Sequence, residues 1–277
     1  MYYSISAGSI NPVPNSMSEF CIGRAKGTLH SKQNISWVDA GSPVLCVSSE
    51  QAQRGAPHTI DPSVWVGDNG EGTWLTFGSW SDYGDGLKQG ARGGGVWMVE
   101  LDGDNGMLKG EILERCGSKF SNCFEAEDEG KGGFVNVANH RGYDSPDGYI
   151  DGNSIEASYL WKTPSSPYWY LFTNWFWCCR GKESTYQIMV GRSLNPSGPF
   201  LDKDRKNMKD YEANATGTFV VEGGEGFYGP GHAGIWVGSG EEMIFTNHWE
   251  GSDSTGDVRI LQATRMTMIE GWPQLLI

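Results

Sequence analysis

The sequence predicts an all-β fold assembled as blades of a β-propeller, and three observations predict it. A strand–turn–strand pattern occurs three times: Ile60-Asp61-Pro62-Ser63-Val64-Trp65 with Trp74–Trp80, Ile155-Glu156-Ala157-Ser158-Tyr159-Leu160-Trp161 with Trp169–Trp175, and Gly231-His232-Ala233-Gly234-Ile235-Trp236 with Met243–Trp249. Glycine (40 of 277 residues) and aromatic residues (12%) are both abundant, which suits many short strands joined by tight turns. No helical periodicity of useful length runs through the chain.

Each blade follows from its strands in order. Tyr2–Ser6 resembles the second strand of such a unit, so its first strand is expected upstream of Met1. Phe20–Ala25 and Trp37–Asp39 complete that blade, which ends near Val47. The second blade spans Thr59 to Glu114, with Gly95–Leu101 as its third strand. The third spans Ile155 to Leu201, with Tyr186–Arg192 third. The fourth spans Thr218 to Leu276, with Val258–Ala263 third. Arg115 to Ile150 is rich in Gly and Asp and reads as a long irregular loop. The whole chain, 1–277, is expected to be one propeller domain.

Charge narrows the partners. A net charge of −13 excludes a basic face for nucleic acid and disfavours an anionic membrane surface. A neutral sugar is compatible with it. No apolar run approaches a membrane span. None of the six cysteines has zinc-ligand spacing. Cys21 with Cys46, and Cys116 with Cys123, are candidate bridges. Cys178-Cys179 reads either as a vicinal bridge or as two thiols on opposite faces of a strand. Asn34-Ile35-Ser36 and Asn214-Ala215-Thr216 are glycosylation tripeptides that point to secretion.

The polar residue opening each inner strand carries the chemistry. Asp61, Glu156 and His232 stand at matching points of the repeat and are expected to be rotational equivalents around one axial pocket. Carboxyls held together with some burial raise one pKa, the device by which glycosidases keep an acid protonated. Trp80, Trp175 and Trp177 follow the inner strands and are expected at the channel mouth, where aromatic faces stack on sugar rings. Trp65, Trp161 and Trp236 recur inside the repeat and are expected between blades.

Further runs extend the pattern: Phe77-Gly78-Ser79-Trp80, Cys178-Cys179-Arg180-Gly181, Ser184-Thr185-Tyr186, Ser197-Gly198-Pro199-Phe200, Tyr228-Gly229-Pro230-Gly231-His232 and Gly271-Trp272-Pro273. Together these resemble the five-bladed β-propeller glycosidases of glycoside hydrolase family 43, the endo-α-1,5-arabinanases in particular. The resemblance implies an inverting hydrolase of α-1,5-arabinan or a related arabinose- or xylose-containing polysaccharide, secreted and monomeric. It implies Glu156 as general acid and Asp61 as the carboxylate that tunes it. His232 is implied beside a metal ion, often Ca2+, held largely through water, and Arg180 near the sugar. The family's base aspartate is expected in the strand upstream of Met1, so about four blades are expected in this chain. A catalytically inactive carbohydrate-binding propeller is the alternative.

Overall fold

The computed structural model describes residues 1–6, 20–47, 56–68, 70–79, 94–116, 133–140, 154–210, 217–240, 242–251 and 258–276. It is all-β, with four sheets arranged as propeller blades. In the first, β1 (Tyr2–Ser6) pairs with β2 (Phe20–Ser31), whose other edge pairs with β3 (Asn34–Asp39) and then with β4 (Leu45–Val47). The other three are antiparallel meanders. They are β5 (Ser63–Val66) to β8 (Phe134–Ala138) through β6 (Thr73–Phe77) and β7 (Val96–Leu101), then β9 (Ile155–Lys162) to β12 (Thr218–Glu222) through β10 (Trp169–Trp175) and β11 (Gln187–Ser193), then β13 (Tyr228–Val237) to β16 (Trp272–Leu275) through β14 (Met243–Glu250) and β15 (Arg259–Ile269).

Two blade boundaries move from the sequence reading. β8 lies inside the stretch expected to be an irregular loop, and it closes the second sheet on β7. β12 belongs to the third sheet through β11, not to the fourth. Both outer strands are short, and their neighbours mask the alternation that identifies a strand from sequence. A short helix, α1 (Gly110–Cys116), also precedes β8.

Strand alternation sends successive side chains to opposite faces, and each face meets a neighbouring blade. Leu75, Phe77, Trp97 and Val99 pack on Ile22, Leu45 and Val47 of the first blade. The opposite face, Val96, Met98 and Val137, packs on Leu160, Trp169 and Leu171 of the third. That blade's other face, with Tyr170, Phe172, Ile188 and Val190, meets Phe245 and Met266 of the fourth. Truncating a fully buried ring such as Phe172 to alanine costs about 3–5 kcal/mol.

Of the three repeat tryptophans, Trp65 packs on Trp169 with ring centroids 4.3 Å apart, and Trp161 is buried. Trp236 is 59% exposed, contrary to the expected inter-blade packing. Cys21 and Cys46 sit opposite each other on β2 and β4 and are bonded. Cys178 and Cys179 form a vicinal disulfide. The Cys116–Cys123 pairing and Asn214 fall outside the described side chains, and Asn34 is exposed at the start of β3.

Candidate active site

The inner strands share one irregularity, and it builds the site. Tyr159 pairs with Phe172 and Glu156 with Asn174, so two residues of β9 oppose one of β10. Gly234 pairs with Thr246 and Gly231 with His248, giving the same bulge in β13. Ahead of β5, Ser63 pairs with Thr76 while the Gly78 amide donates to the Ile60 carbonyl, which is the same count again. A bulge with its first residue left-handed bends the strand and re-aims its side chains. That residue is Asp61 (φ 54), Ala157 (φ 51) and His232 (φ 57) in the three blades. L-residues enter this region at a cost, so three at one position mark an imposed geometry.

This register corrects the expected equivalence. Asp61 and His232 are rotational equivalents, but their partner in the third blade is Ala157. Glu156 stands one residue earlier, level with Ile60 and Gly231. The side chains still converge. The Asp61 carboxylate accepts a hydrogen bond from the Ala157 amide, and the charges of Asp61 and His232 both act on Glu156. Each left-handed amide is taken by the preceding blade. Asp61 N–H donates to Ser4 Oγ at 3.0 Å, Ala157 N–H to Asp61, and His232 N–H to Asn174 Oδ1 at 2.9 Å. Asn174 is itself buried and donates through Nδ2 to the carbonyls of Gln187 (3.2 Å) and Pro230 (3.1 Å).

Glu156 sits between two hydroxyl donors. Ser79 Oγ–H donates to Oε2 at 2.6 Å and Tyr186 O–H to Oε1 at 2.7 Å. Asp61 and Glu156 are part-buried, while His232 is exposed to solvent. Burial, and then the Asp61 charge, raise the Glu156 pKa, while the two hydroxyls and His232 pull it down. Burial pushes Asp61 up to about 6, against the Ala157 amide. His232 is lowered by burial, and His248 beside it by burial, by His232 and by Arg259. Tyr186 is raised well above its ordinary value by burial and by the Glu156 and Asp61 charges, so it is a neutral donor. Ser79, Tyr186, Asn174 and His248 all lie in runs noted in the sequence. They had no assigned role because their partners are set by packing between blades.

The tryptophans divide. Trp177 is exposed on the turn after β10, with the Arg180 guanidinium 4.1 Å from its ring. Trp175 is placed otherwise than expected. It is the last residue of β10, only 3% exposed, and its ring stacks at 4.0 Å on His140. The β10 register places it opposite Ile155 and Gln187, inside the core between the second and third blades. Trp80 lies outside the described residues.

Burial lowers the His232 pKa and so favours the neutral imidazole, the form whose ring nitrogen can act as a donor to a cation. A second grouping, Cys178, Cys179 and Glu250, is not a metal site. Its sulfurs are bonded to each other, and the Glu250 oxygens are taken by Cys179 N–H, Gly181 N–H and Ser184 Oγ.

No family model matches the chain. An extracellular exo-α-(1→5)-L-arabinofuranosidase from Cellvibrio japonicus is 26% identical over 99% of the chain and 65% of its own length. An extracellular endo-α-(1→5)-L-arabinanase from Bacillus subtilis is 26% identical over 99% of the chain and 64% of its own length. The chain therefore spans just under two thirds of these curated relatives. Among solved structures, an exo-1,5-α-L-arabinanase from a bovine ruminal metagenome superposes with a TM-score of 0.70 at 26% identity, covering 99% of this chain and 73% of that one. A family 43 endo-arabinanase from Bacillus licheniformis gives 0.64 at 25%, covering 99% and 71%. A Cellvibrio cellulosa α-L-arabinanase in complex with arabinohexaose gives 0.70 at 23%, covering 99% and 72%.

Proposed function

We propose that this relative of the glycoside hydrolase family 43 arabinanases is a secreted glycosidase acting on α-1,5-arabinan or a related arabinose- or xylose-containing polysaccharide. The observation that carries the reading is a part-buried, hydroxyl-clamped Glu156 with Asp61 beside it and its pKa raised. In this reading Glu156 protonates the glycosidic oxygen as the bond to the sugar carbon breaks. Asp61 holds that proton on Glu156 through its charge. Tyr186 and Ser79 hold the carboxyl in place, and Trp177 with Arg180 offers a stacking face and a guanidinium to the sugar. His232 would stand beside a cation held largely through water oxygens, Ca2+ by that oxygen-rich chemistry, which when bound would supply fixed positive charge at the centre. The extracellular names of the relatives support secretion.

An inverting route needs a base on the opposite side of the sugar, its carboxyl about 6.5–9.5 Å from the acid. Among the described residues Asp61 is the one carboxylate whose charge reaches Glu156. It is engaged with the Ala157 amide. We assign the base to a residue outside the described set. The same observation favours a second reading, a propeller that binds glycan without cutting it.

Release of reducing ends from debranched arabinan separates the two. Wild-type hydrolysis that is lost in Glu156→Ala supports the glycosidase. Turnover unchanged in Glu156→Ala removes the acid assignment. Binding without cleavage by the wild-type chain supports the silent propeller.

A further inference from the structure

The loop between β10 and β11 carries three unusual features at once. Phe176 (φ 67), Cys179 (φ 70) and Gly181 (φ 56) are all left-handed, Cys178 and Cys179 are bonded to each other, and a 3-10 turn follows at Gly181–Glu183. Its neck is closed by Thr185 N–H donating to the Trp177 carbonyl at 2.9 Å and by Trp177 N–H donating to Thr185 Oγ1 at 3.3 Å. The next residue is Tyr186, whose hydroxyl holds Glu156. Trp177 and Arg180 are both exposed on this loop, ring against guanidinium, as are Cys179, Lys182, Glu183 and Thr185.

Glu250 reaches this loop from another blade. It is the last residue of β14 and its exposure is 0%. Oε1 accepts the Cys179 amide at 2.6 Å, and Oε2 accepts the Gly181 amide at 2.7 Å and Ser184 Oγ at 2.7 Å. Amides two residues apart that point at one carboxylate form a backbone nest, which favours an anion. Ser184 Oγ in turn accepts the Arg180 amide at 2.9 Å, so the clamp extends to the residue that carries the guanidinium.

We propose that Glu250 is a positioning residue for glycan binding. Resting on the glycan reading above, it sets the conformation of the vicinal-disulfide loop and thereby presents Trp177 and Arg180 to the sugar. The apolar packing of the fourth blade on the third runs through Phe245 and Met266, and Glu250 adds a polar clamp on the loop to it. Phe176 anchors the start of the loop on the core between the second and third blades, and beyond it the Glu250 contacts hold residues 179–184. A neutral amide at position 250 replaces one accepting oxygen with a donor facing amides that also donate.

The test compares the wild-type chain with Glu250→Gln and with the milder Ser184→Ala. Amide exchange is followed by mass spectrometry on peptides covering residues 176–186, and affinity for an α-1,5-linked arabinose hexamer by calorimetry at low temperature. Glu250→Gln is expected to speed exchange in the loop about tenfold and to weaken hexamer binding about tenfold, the scale of one charge-assisted hydrogen bond. Exchange in β9, β10 and β14 stays at wild-type rates. Ser184→Ala moves both readouts the same way by a smaller factor, and judges the clamp if the glutamine variant does not fold. Unchanged loop exchange overturns the clamp. Faster loop exchange with unchanged affinity overturns its role in binding. A wild-type chain that binds no hexamer sinks the glycan reading and the affinity claim together, while the exchange result still judges the clamp by itself.

Discussion

Replacing Tyr186 with phenylalanine tests the electrostatics of the site by sign as well as by size. The Glu156 carboxylate has two donors, Tyr186 at 2.7 Å and Ser79 at 2.6 Å. A hydrogen bond to an ionised group is worth about 1.5–3 kcal/mol and one to a neutral group about 0.5–1.5 kcal/mol. Removing one donor therefore disfavours the ionised form by about 1–1.5 kcal/mol more than the protonated form, which is about one pH unit. The ring itself stays, so packing is held nearly constant. Glu156 in Tyr186→Phe should titrate about one unit higher than in wild type. The assay is a carbon-detected NMR titration of glutamate carboxyls, with the Glu156 signal assigned from Glu156→Gln. An unchanged or lowered value would refute the claim that Tyr186 stabilises the anion.

Three further outcomes follow from the same geometry. Asp61→Asn removes the charge that raises Glu156, so the Glu156 titration should move down, opposite to the tyrosine variant, in the same NMR experiment. His140, stacked on Trp175 and Phe176, is held near 4 by burial against an ordinary value of 6.5. The unfolded chain binds that proton first, so folding stability should rise between about pH 4 and 6.5, by about 3 kcal/mol from this residue. Asp61, raised to about 6, contributes the opposite slope between about pH 4 and 6. Urea unfolding across that range should show a flatter rise in His140→Phe and a steeper one in Asp61→Asn. The Cys21–Cys46 bridge closes a separation of 25 residues, and Cys21→Ala with Cys46→Ala should cost about 3 kcal/mol in urea unfolding under oxidising conditions.

Much of the blade pattern was legible because inner strands are long, apolar and repeated. Asp61, Glu156 and His232 could be read as convergent from repeat register alone. Their true offset could not, because a bulge inserts a residue without leaving a mark in hydrophobic alternation. The left-handed residues are an aspartate, an alanine and a histidine (Asp61, Ala157, His232), followed by proline, serine and alanine, and they share no signature. Trp175 was misplaced because β10 is buried on both faces along its whole length, so its last residue lies in the core whichever face it takes. β8 was missed, and the β12 stretch given to the fourth blade, because outer strands carry mixed patterns. Glu250 was invisible as a functional candidate, since its partners are backbone amides of a loop in another blade.

The central claim is that the bulged inner strands gather one sugar-binding centre on the propeller axis. Chemical-shift mapping with an α-1,5-linked arabinose hexamer tests it most directly. The account predicts that shifts concentrate at Asp61, Glu156, Tyr186, Trp177 and His232 and saturate together with one affinity. Saturable binding that moves residues of the outer strands and leaves those five in place would contradict it.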